Sequence, residues 1–206
     1  MLIHTLSRIT EQKMADVVLE ALPPIVARGV QFALLGRGEA ELERRFLDVA
    51  SSWPGQVAIR IGYEKPLAHR LQAGGDILLH PSRFEPCGLS QLYALRYGTL
   101  PVVRKVGGPA DTVTDAEGEA LRIDAATGFL FDGPTARAML SVLDRALALY
   151  RQPIAWRKLQ HQAMRKDFGW DASASHYLAL YRRLAREGAA ADAVERNETE
   201  FASAAE

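Results

Sequence analysis

The sequence predicts an α/β fold, a doubly wound parallel sheet of about six strands followed by C-terminal helices. From Leu2 to Tyr150, short apolar runs alternate with amphipathic helical stretches. Such alternation is typical of a parallel sheet that helices cover on both faces. Residues suited to binding anions or sugars, such as Arg8 and Ser90, come after the predicted strands. Because parallel strands end at one edge of the sheet, these residues predict a nucleotide-type pocket at that edge.

The predicted elements follow one another in a regular order that resembles a Rossmann-type sheet. The strands are short apolar runs: Leu2–Leu6, Val30–Leu35, Val57–Ile61, Ile77–His80, Leu100–Val103 and Gly128–Phe131. The helices have apolar residues at helical spacing: a first helix capped by Thr10, then Glu39–Val49, Pro66–Gln72, Leu89–Tyr97, Ala136–Tyr150, Ile154–Lys166 and Ala172–Arg186.

The predicted domain ends near residue 186, and residues 187–206 form a separate segment. That segment contains seven Ala and six acidic residues against one Arg, with few large apolar side chains. We expect a disordered tail there, with a helical extension as the alternative.

Composition and charge exclude several classes of protein. The 206 residues are 48% hydrophobic and 24% charged, as in an average globular chain and unlike a wholly disordered one. Lys plus Arg and Asp plus Glu both number 25, and this balance argues against a general nucleic-acid-binding protein. Cys87 is the single cysteine, and the sequence has neither a signal peptide nor a membrane-spanning apolar run. We therefore expect a cytoplasmic protein with no nucleic-acid or membrane partner.

Two basic residues, Arg8 and Lys13, follow the first predicted strand. Arg binds a phosphate group through two parallel hydrogen bonds, whereas Lys acts as a point charge. At the ligand-binding edge of the sheet the pair favours a diphosphate site. Elsewhere the two residues would be ordinary surface charges.

Gly36 and Gly38 flank Arg37 after the second strand, but Glu41 stands where a dinucleotide-binding motif has its third glycine. Two interpretations remain open. The glycines either allow a turn with unusual backbone dihedral angles, or they let the backbone approach a phosphate group.

The segment from His80 to Gln91 contains the densest group of candidate site residues. Its prolines favour an extended loop, and a helix begins after Gly88, so the free amides of Gly88, Leu89 and Ser90 are suited to a phosphate. Glu85 is suited to sugar hydroxyls, with a helix cap or a surface acid as the alternative. Cys87 has no histidine placed as its base, and the five histidines lack metal-ligand spacing, so we expect neither a cysteine nucleophile nor a metal site.

Three segments resemble the C-terminal half of bacterial glycogen synthases: SRITEQK, HPSRFEPCGLSQLYALRYGTLPVVRKVGGPADTV and DFGWDASASHYLALYRRL. These enzymes are retaining glucosyltransferases of the GT-B fold that use ADP-glucose, and the resemblance extends over residues 1–186. Tyr93 stands where other retaining GT-B enzymes have the second Glu of a Glu-x7-Glu motif, as it does in the synthases. Met14, Val106 and Pro109 depart from the usual Gly, Thr and Leu.

The resemblance implies a role for each matching residue. Arg8 and Lys13 would hold the donor diphosphate and stabilise the departing ADP, Tyr63 would stack on adenine, and Glu85 would lie beside the donor glucose. The distal phosphate would be bound by the helix start, at Gly88, Leu89 and Ser90.

The implied reaction is the transfer of glucose from ADP-glucose to the non-reducing end of an α-1,4-glucan, with retention at the anomeric carbon. ADP-glucose is then the donor substrate and ADP the product, with no separate cofactor. GT-B enzymes place the acceptor site on an N-terminal domain with a Lys-Thr-Gly-Gly-Leu type loop, which this sequence lacks. We therefore expect the isolated chain to bind ADP without extending glucan. The alternative is a non-enzymatic nucleotide-binding or interaction module with the same half-fold.

Overall fold

The structure is a computed structural model that describes residues 1–203, and the side chains of residues 1–188. It contains two compact units, Met1–Lys166 and a second unit that begins at Asp167. No helix within the described residues is long and apolar enough to cross a membrane.

The first unit is built on one parallel sheet, as the sequence predicts. The strands are β1 (Leu2–Leu6), β2 (Gln31–Gly36), β3 (Val57–Ile61), β4 (Ile77–His80), β5 (Leu100–Arg104) and β6 (Phe129–Phe131). They lie in the order β3-β2-β1-β4-β5-β6, and every neighbouring pair is parallel. This is the strand order of a doubly wound α/β fold.

The two central strands, β1 and β4, form the point where the strand order reverses. They pair through Ile3 with Ile77 and His4 with Leu78. From this point the chain builds β2 and β3 on one side and β5 and β6 on the other, so the connections leave in opposite directions. A crevice opens at the carboxyl end of such a pair, and the segments that follow β1 and β4 lie along it.

Nine helices are described. They are α1 (Ala15–Val26), α2 (Ala40–Ser52), α3 (Lys65–Gly74), α4 (Ser90–Tyr97), α5 (Gly107–Thr112), α6 (Gly118–Arg122), α7 (Ala136–Tyr150), α8 (Pro153–Met164) and α9 (Trp170–Ser203). Helix α1 buries apolar side chains and packs against α2 and α7, while α4 packs against α3 and α8.

The start of the first helix differs from the prediction. A 3₁₀ turn occupies Glu11–Lys13, and Met14 then adopts a left-handed conformation with φ of 52° before α1 begins. The prediction that Thr10 caps this helix is wrong. Thr10 instead precedes the 3₁₀ turn, and its side chain makes no capping hydrogen bond.

The remaining differences concern short and terminal elements. The segments that form α5 and α6 read as loops in the sequence, because five or six residues are too few to show a helical period. Helix α9 continues through Ser203, so the described part of the expected tail is helical, which corresponds to the alternative interpretation. Ala and Glu, which are frequent there, have high helix propensity. Residues 204–206 lie outside the described residues.

Candidate functional site

A cavity of about 670 Å³ lies at the carboxyl end of the central strands, on the side of β1 and β2. We call it the edge cavity. Its size falls within the range of about 300–1,000 Å³ that is typical of small-molecule sites. It is lined by Leu6, Ser7, Arg8, Leu35, Gly36, Arg37, Gly62, Tyr63, Lys65, Ala68, His69, Gln72, Ser90, Tyr93 and Tyr97.

The edge cavity brings together four of the residues selected from the sequence: Arg8, Gly36, Tyr63 and Ser90. They come from four different strand-to-helix connections, which meet because all the strands end at this edge. The other four selected residues do not line the cavity. They are Lys13, Glu85, Gly88 and Leu89, and they lie on the segments that follow β1 and β4.

Gly36 and Gly38 are required by close packing of the backbone. A Cβ atom at Gly36 would overlap the carbonyl oxygen of Ser7, and one at Gly38 would overlap that of Ile9. Neither glycine has a positive φ, so the interpretation as a turn with unusual dihedral angles is wrong. Ile9 also forms a parallel bridge with Gly38, and the two glycines therefore let the segment after β2 lie against the segment after β1.

Aromatic side chains form much of the cavity wall. Tyr63 is 89% exposed, so one face of its ring is free to stack on a planar group. Tyr93 is also exposed at the wall. His69 and Tyr97 contribute two further rings to the lining. His69 Nδ1 lies 2.9 Å from the Tyr97 hydroxyl, and this contact holds the two rings together.

Hydrogen bonds join the segment after β1 to the segment after β4. Arg8 Nη2 donates to Gln12 Oε1 at 2.9 Å, and Gln12 Nε2 donates to the carbonyl of Phe84 at 3.0 Å. The Arg83 amide donates to the Gln12 carbonyl at 2.8 Å, and the Arg83 guanidinium pairs with Asp16 at 2.7 Å. These contacts hold the two segments beside each other at the point where the strand order reverses.

Lys13 and Glu85 form a buried ion pair between Lys13 Nζ and Glu85 Oε2. Their side chains are only 11% and 8% exposed. The two residues are 72 positions apart in the sequence, and their contact depends on the meeting of the same two segments. Lys13, which the sequence assigned to a diphosphate with Arg8, thus neutralises a carboxylate that the sequence assigned to a sugar.

Glu85 Oε2 accepts two further hydrogen bonds. His80 Nε2 lies 3.2 Å away, and Ser82 Oγ lies 3.4 Å away. The hydrogen bond from His80, together with the hydrogen bond and charge of Lys13, outweighs the cost of burial and lowers the pKa of Glu85 to about 2. The carboxylate is therefore ionised at neutral pH. Within the described residues, no group of three or more His, Cys, Asp and Glu side chains is arranged to hold a metal ion.

The start of α4, which follows Glu85 in the chain, presents free backbone amides. Gly88 has a φ of +68°, and Leu89 occupies the N-cap position without a side-chain cap. Within the described chain, the amides of Gly88, Leu89 and Ser90 donate no hydrogen bond to another protein atom. Gln91 Nε2 donates to the carbonyls of Cys87 at 2.9 Å and Gly88 at 2.6 Å, and these two hydrogen bonds hold the loop before α4 in this conformation.

Several of these residues did not emerge from the sequence. His80 and Gln91 lie inside the segment that was selected, but their contacts with Glu85 and with the loop carbonyls depend on the folded loop. His69 and Tyr97 lie on two different helices. The available signal was their position after β3 and β4, in the connections that the topology brings to the carboxyl edge.

The sequence of the chain matches a known protein family. Residues 2–148 match the family model described as "Glycosyl transferases group 1". The chain belongs to the group 1 glycosyltransferases. Its similarity to curated relatives is specific within that family: it is 52% identical to the glycogen synthase of Edwardsiella ictaluri over 183 residues, which is 89% of this chain and 38% of that protein.

Solved structures agree with this family. The catalytic domain of starch synthase IV from Arabidopsis thaliana, bound to ADP and acarbose, superimposes with a TM-score of 0.80 at 31% identity. The match covers 88% of this chain and 38% of that one. The C-terminal domain of a group 1 glycosyltransferase from Francisella tularensis shares the fold at 18% identity, with a TM-score of 0.57, over 79% of this chain and 82% of that domain.

The extent of these matches confirms the predicted half-fold. The chain spans less than two fifths of the length of the glycogen synthases it matches, yet it corresponds to most of a glycosyltransferase C-terminal domain. Its fold therefore corresponds to the C-terminal, Rossmann-like half of the GT-B fold.

Proposed function

We propose that the chain is the donor-binding half of an ADP-glucose-dependent glycogen synthase, which transfers glucose with retention to the non-reducing ends of an α-1,4-glucan. The observation that carries this proposal is the edge cavity, whose lining includes Ser90 at the start of α4, where the backbone amides are free; Glu85 lies on the loop that leads into this helix. The similarity to glycogen synthases, and the ADP bound to the related starch synthase, support the choice of donor.

The nucleotide half of the donor fits the cavity. Tyr63 offers an exposed ring for adenine, and Arg8 is an exposed guanidinium on the same lining. The amides at the start of α4 and the positive end of that helix favour an anion beside Ser90. A diphosphate between Arg8 and these amides would be stabilised as negative charge develops on the departing ADP, which is the electrostatic contribution that donor cleavage needs.

Lys13 serves both halves of the donor site in this proposal. Its ammonium group has three hydrogens, and the ion pair with Glu85 uses one of them. The group can therefore contact the diphosphate without leaving the carboxylate. We expect no separate cofactor, with ADP-glucose as the donor substrate and ADP as the product.

Glu85 serves the sugar. The carboxylate is ionised, and an ionised acceptor forms strong, oriented hydrogen bonds with hydroxyl groups. Orientation of the glucose at a fixed distance from the diphosphate favours attack by the acceptor on the same face, with the departing phosphate assisting removal of the acceptor proton. The acceptor glucan is held by the N-terminal domain of the longer enzyme.

Calorimetric titration of the chain with ADP tests the donor site. Arg8→Gln should weaken ADP binding about tenfold or more, as expected for loss of one charge-assisted hydrogen bond. Arg45→Gln, at an exposed position of α2, is the matched control and should bind like the wild type. UDP should bind more weakly than ADP, because its smaller base covers less of the Tyr63 ring. Absence of ADP binding, or equal affinity for UDP, would contradict the proposed donor.

A glucan-extension assay tests the reaction. The chain alone should transfer no labelled glucose, whereas a fusion to the N-terminal part of the Edwardsiella ictaluri glycogen synthase should transfer it. Glucose transfer by the chain alone would contradict the proposal that this chain binds the donor while the N-terminal domain holds the acceptor glucan. A folded fusion that binds ADP but transfers no glucose would favour the non-enzymatic binding module.

A further inference from the structure

We propose that His80 is a positioning residue that fixes the Glu85 carboxylate and leaves one carboxylate oxygen for the donor sugar. The inference rests on the proposed function, because it assigns a role to a second residue of the same site. It concerns a buried side chain at the end of β4, outside the lining of the edge cavity.

The two oxygens of Glu85 have different surroundings. Oε2 receives all three hydrogen bonds, from Lys13, His80 and Ser82. Oε1 makes no hydrogen bond within the described chain, and it is also absent from the fully buried polar atoms that lack a partner. Oε1 is therefore reachable from outside, whereas Oε2 is committed to the protein. The carboxylate presents one accessible acceptor.

The geometry of His80 identifies it as a donor. Its side chain is 4% exposed, and Nε2 lies 3.2 Å from Glu85 Oε2. Nδ1 is fully buried and has no partner. With the hydrogen on Nε2, the ring satisfies Glu85 and leaves only a bare acceptor unpaired, whereas a hydrogen on Nδ1 would leave a buried donor unpaired and place two acceptors against each other.

His80 supplies what the other two donors do not. Lys13 has a long, flexible side chain whose charge is also attracted to a diphosphate, and Ser82 Oγ is at the longer distance of 3.4 Å. His80 ends a strand whose backbone pairs with Val103 of β5, so its ring is mounted on the sheet itself. Groups held by rigid elements fix a site more precisely than groups on loops. His80 thus fixes the orientation of Glu85 independently of Lys13, whose ammonium group is shared with the diphosphate in the proposed site.

The test compares the affinities of the chain for ADP-glucose and for ADP, because their ratio isolates the contribution of the sugar. His80→Phe removes the donor and keeps a planar ring, whereas His80→Gln keeps an N–H donor. We expect His80→Phe to lower the ratio of the affinity for ADP-glucose to the affinity for ADP about tenfold. The affinity for ADP itself should stay within about threefold of the wild-type value. His80→Gln should restore most of the ratio. His161→Phe, at an exposed position of α8, is the matched control and should match the wild type.

The outcomes separate this inference from the proposed function. If the wild type binds neither ligand, or binds both equally, the proposed donor site fails. If the wild type prefers ADP-glucose and His80→Phe keeps that preference, or if Gln loses as much as Phe, the positioning role is wrong.

A measurement on the wild type protects the test against a variant that fails to fold. Nitrogen NMR of wild-type His80 should find a hydrogen on Nε2, the nitrogen that faces Glu85 Oε2. An Nε2 without a hydrogen in the wild type would overturn the proposal.

Discussion

Two buried histidines lie on the neighbouring central strands β1 and β4, in regions of opposite character. Neither ring nitrogen of His4 has a hydrogen-bond partner within the described residues, and burial lowers the pKa of His4 to about 4. His80, at the carboxyl edge, donates to the ionised Glu85. In the interior, burial favours the uncharged form of His4. At the carboxyl edge, three hydrogen-bond donors surround the charged carboxylate of Glu85.

This difference separates a structural residue from a candidate site residue of the same type. A buried charge is costly unless it is paired and hydrogen-bonded, and Glu85 has three donors on one oxygen. His4 has no such environment, and Gly75 covers it so closely that a Cβ there would overlap the ring.

The largest expected effect is at the backbone of the edge. In Gly36→Ala, the new Cβ would overlap the Ser7 carbonyl, a backbone atom that cannot move aside as a side chain can. We expect the free energy of unfolding to fall by more than about 3 kcal/mol in urea denaturation. Gly74→Ala, at a helical position with nothing within 4 Å, is the control and should change stability little. Equal, small effects of the two substitutions would show that the segments after β1 and β2 are not packed as described.

Removal of the Lys13 ammonium group would leave Glu85 as a buried side chain without an oppositely charged partner. We expect Lys13→Met to lower the free energy of unfolding by about 3 kcal/mol, the lower end of the range for a broken buried ion pair, since His80 and Ser82 remain. The sequence alone assigned Lys13 to the donor diphosphate, and the buried ion pair adds a contribution to stability that the sequence did not reveal.

Two comparisons define the Lys13 measurement. Lys13→Met combined with Glu85→Gln removes both charges and should cost less than the sum of the single substitutions. Lys158→Met breaks an exposed ion pair with Asp124 and should cost less than about 1 kcal/mol. A Lys13→Met variant as stable as Lys158→Met would place Lys13 at the surface.

The smallest effect concerns His4 and pH. Its folded pKa of about 4 lies below the unfolded value of 6.5, so the unfolded state binds a proton first. The resulting stability is present above pH 6.5 and is lost as the pH falls towards 4, by about 2 kcal/mol between pH 7 and pH 5. The pKa of Glu85 is also lowered on folding, so its contribution is lost in the same direction but over a lower window, as the pH falls from its unfolded value of 4.5 towards its folded value of about 2.

Unfolding of the wild type and of His4→Leu at pH 7 and pH 5 isolates the histidine. The variant should lose about 2 kcal/mol less than the wild type over this interval. Parallel losses in the two proteins would mean that His4 can take up a proton in the folded state without cost.

The sequence predicted those features that depend on local pattern. Alternating apolar runs and helical periods gave the sheet and the edge at which Arg8, Gly36, Tyr63 and Ser90 meet. The reason for Gly36 was not predictable, because it depends on the carbonyl of Ser7 in another connection.

The remaining features depend on contacts between distant segments. The pairing of Lys13 with Glu85 crosses 72 positions and requires the order of the central strands. The left-handed conformation of Met14 also has no signal in that residue type, since such backbone angles favour glycine. The matching position of the family usually has Gly, and that difference was the one available indication.

The most direct test of the donor-site account is a crystal structure of the chain with ADP-glucose. We expect adenine on the Tyr63 ring in the edge cavity, the diphosphate between Arg8 and the start of α4, and a glucose hydroxyl within about 3 Å of Glu85 Oε1. The nucleotide in another cavity, or a glucose that makes no contact with Glu85, would contradict it.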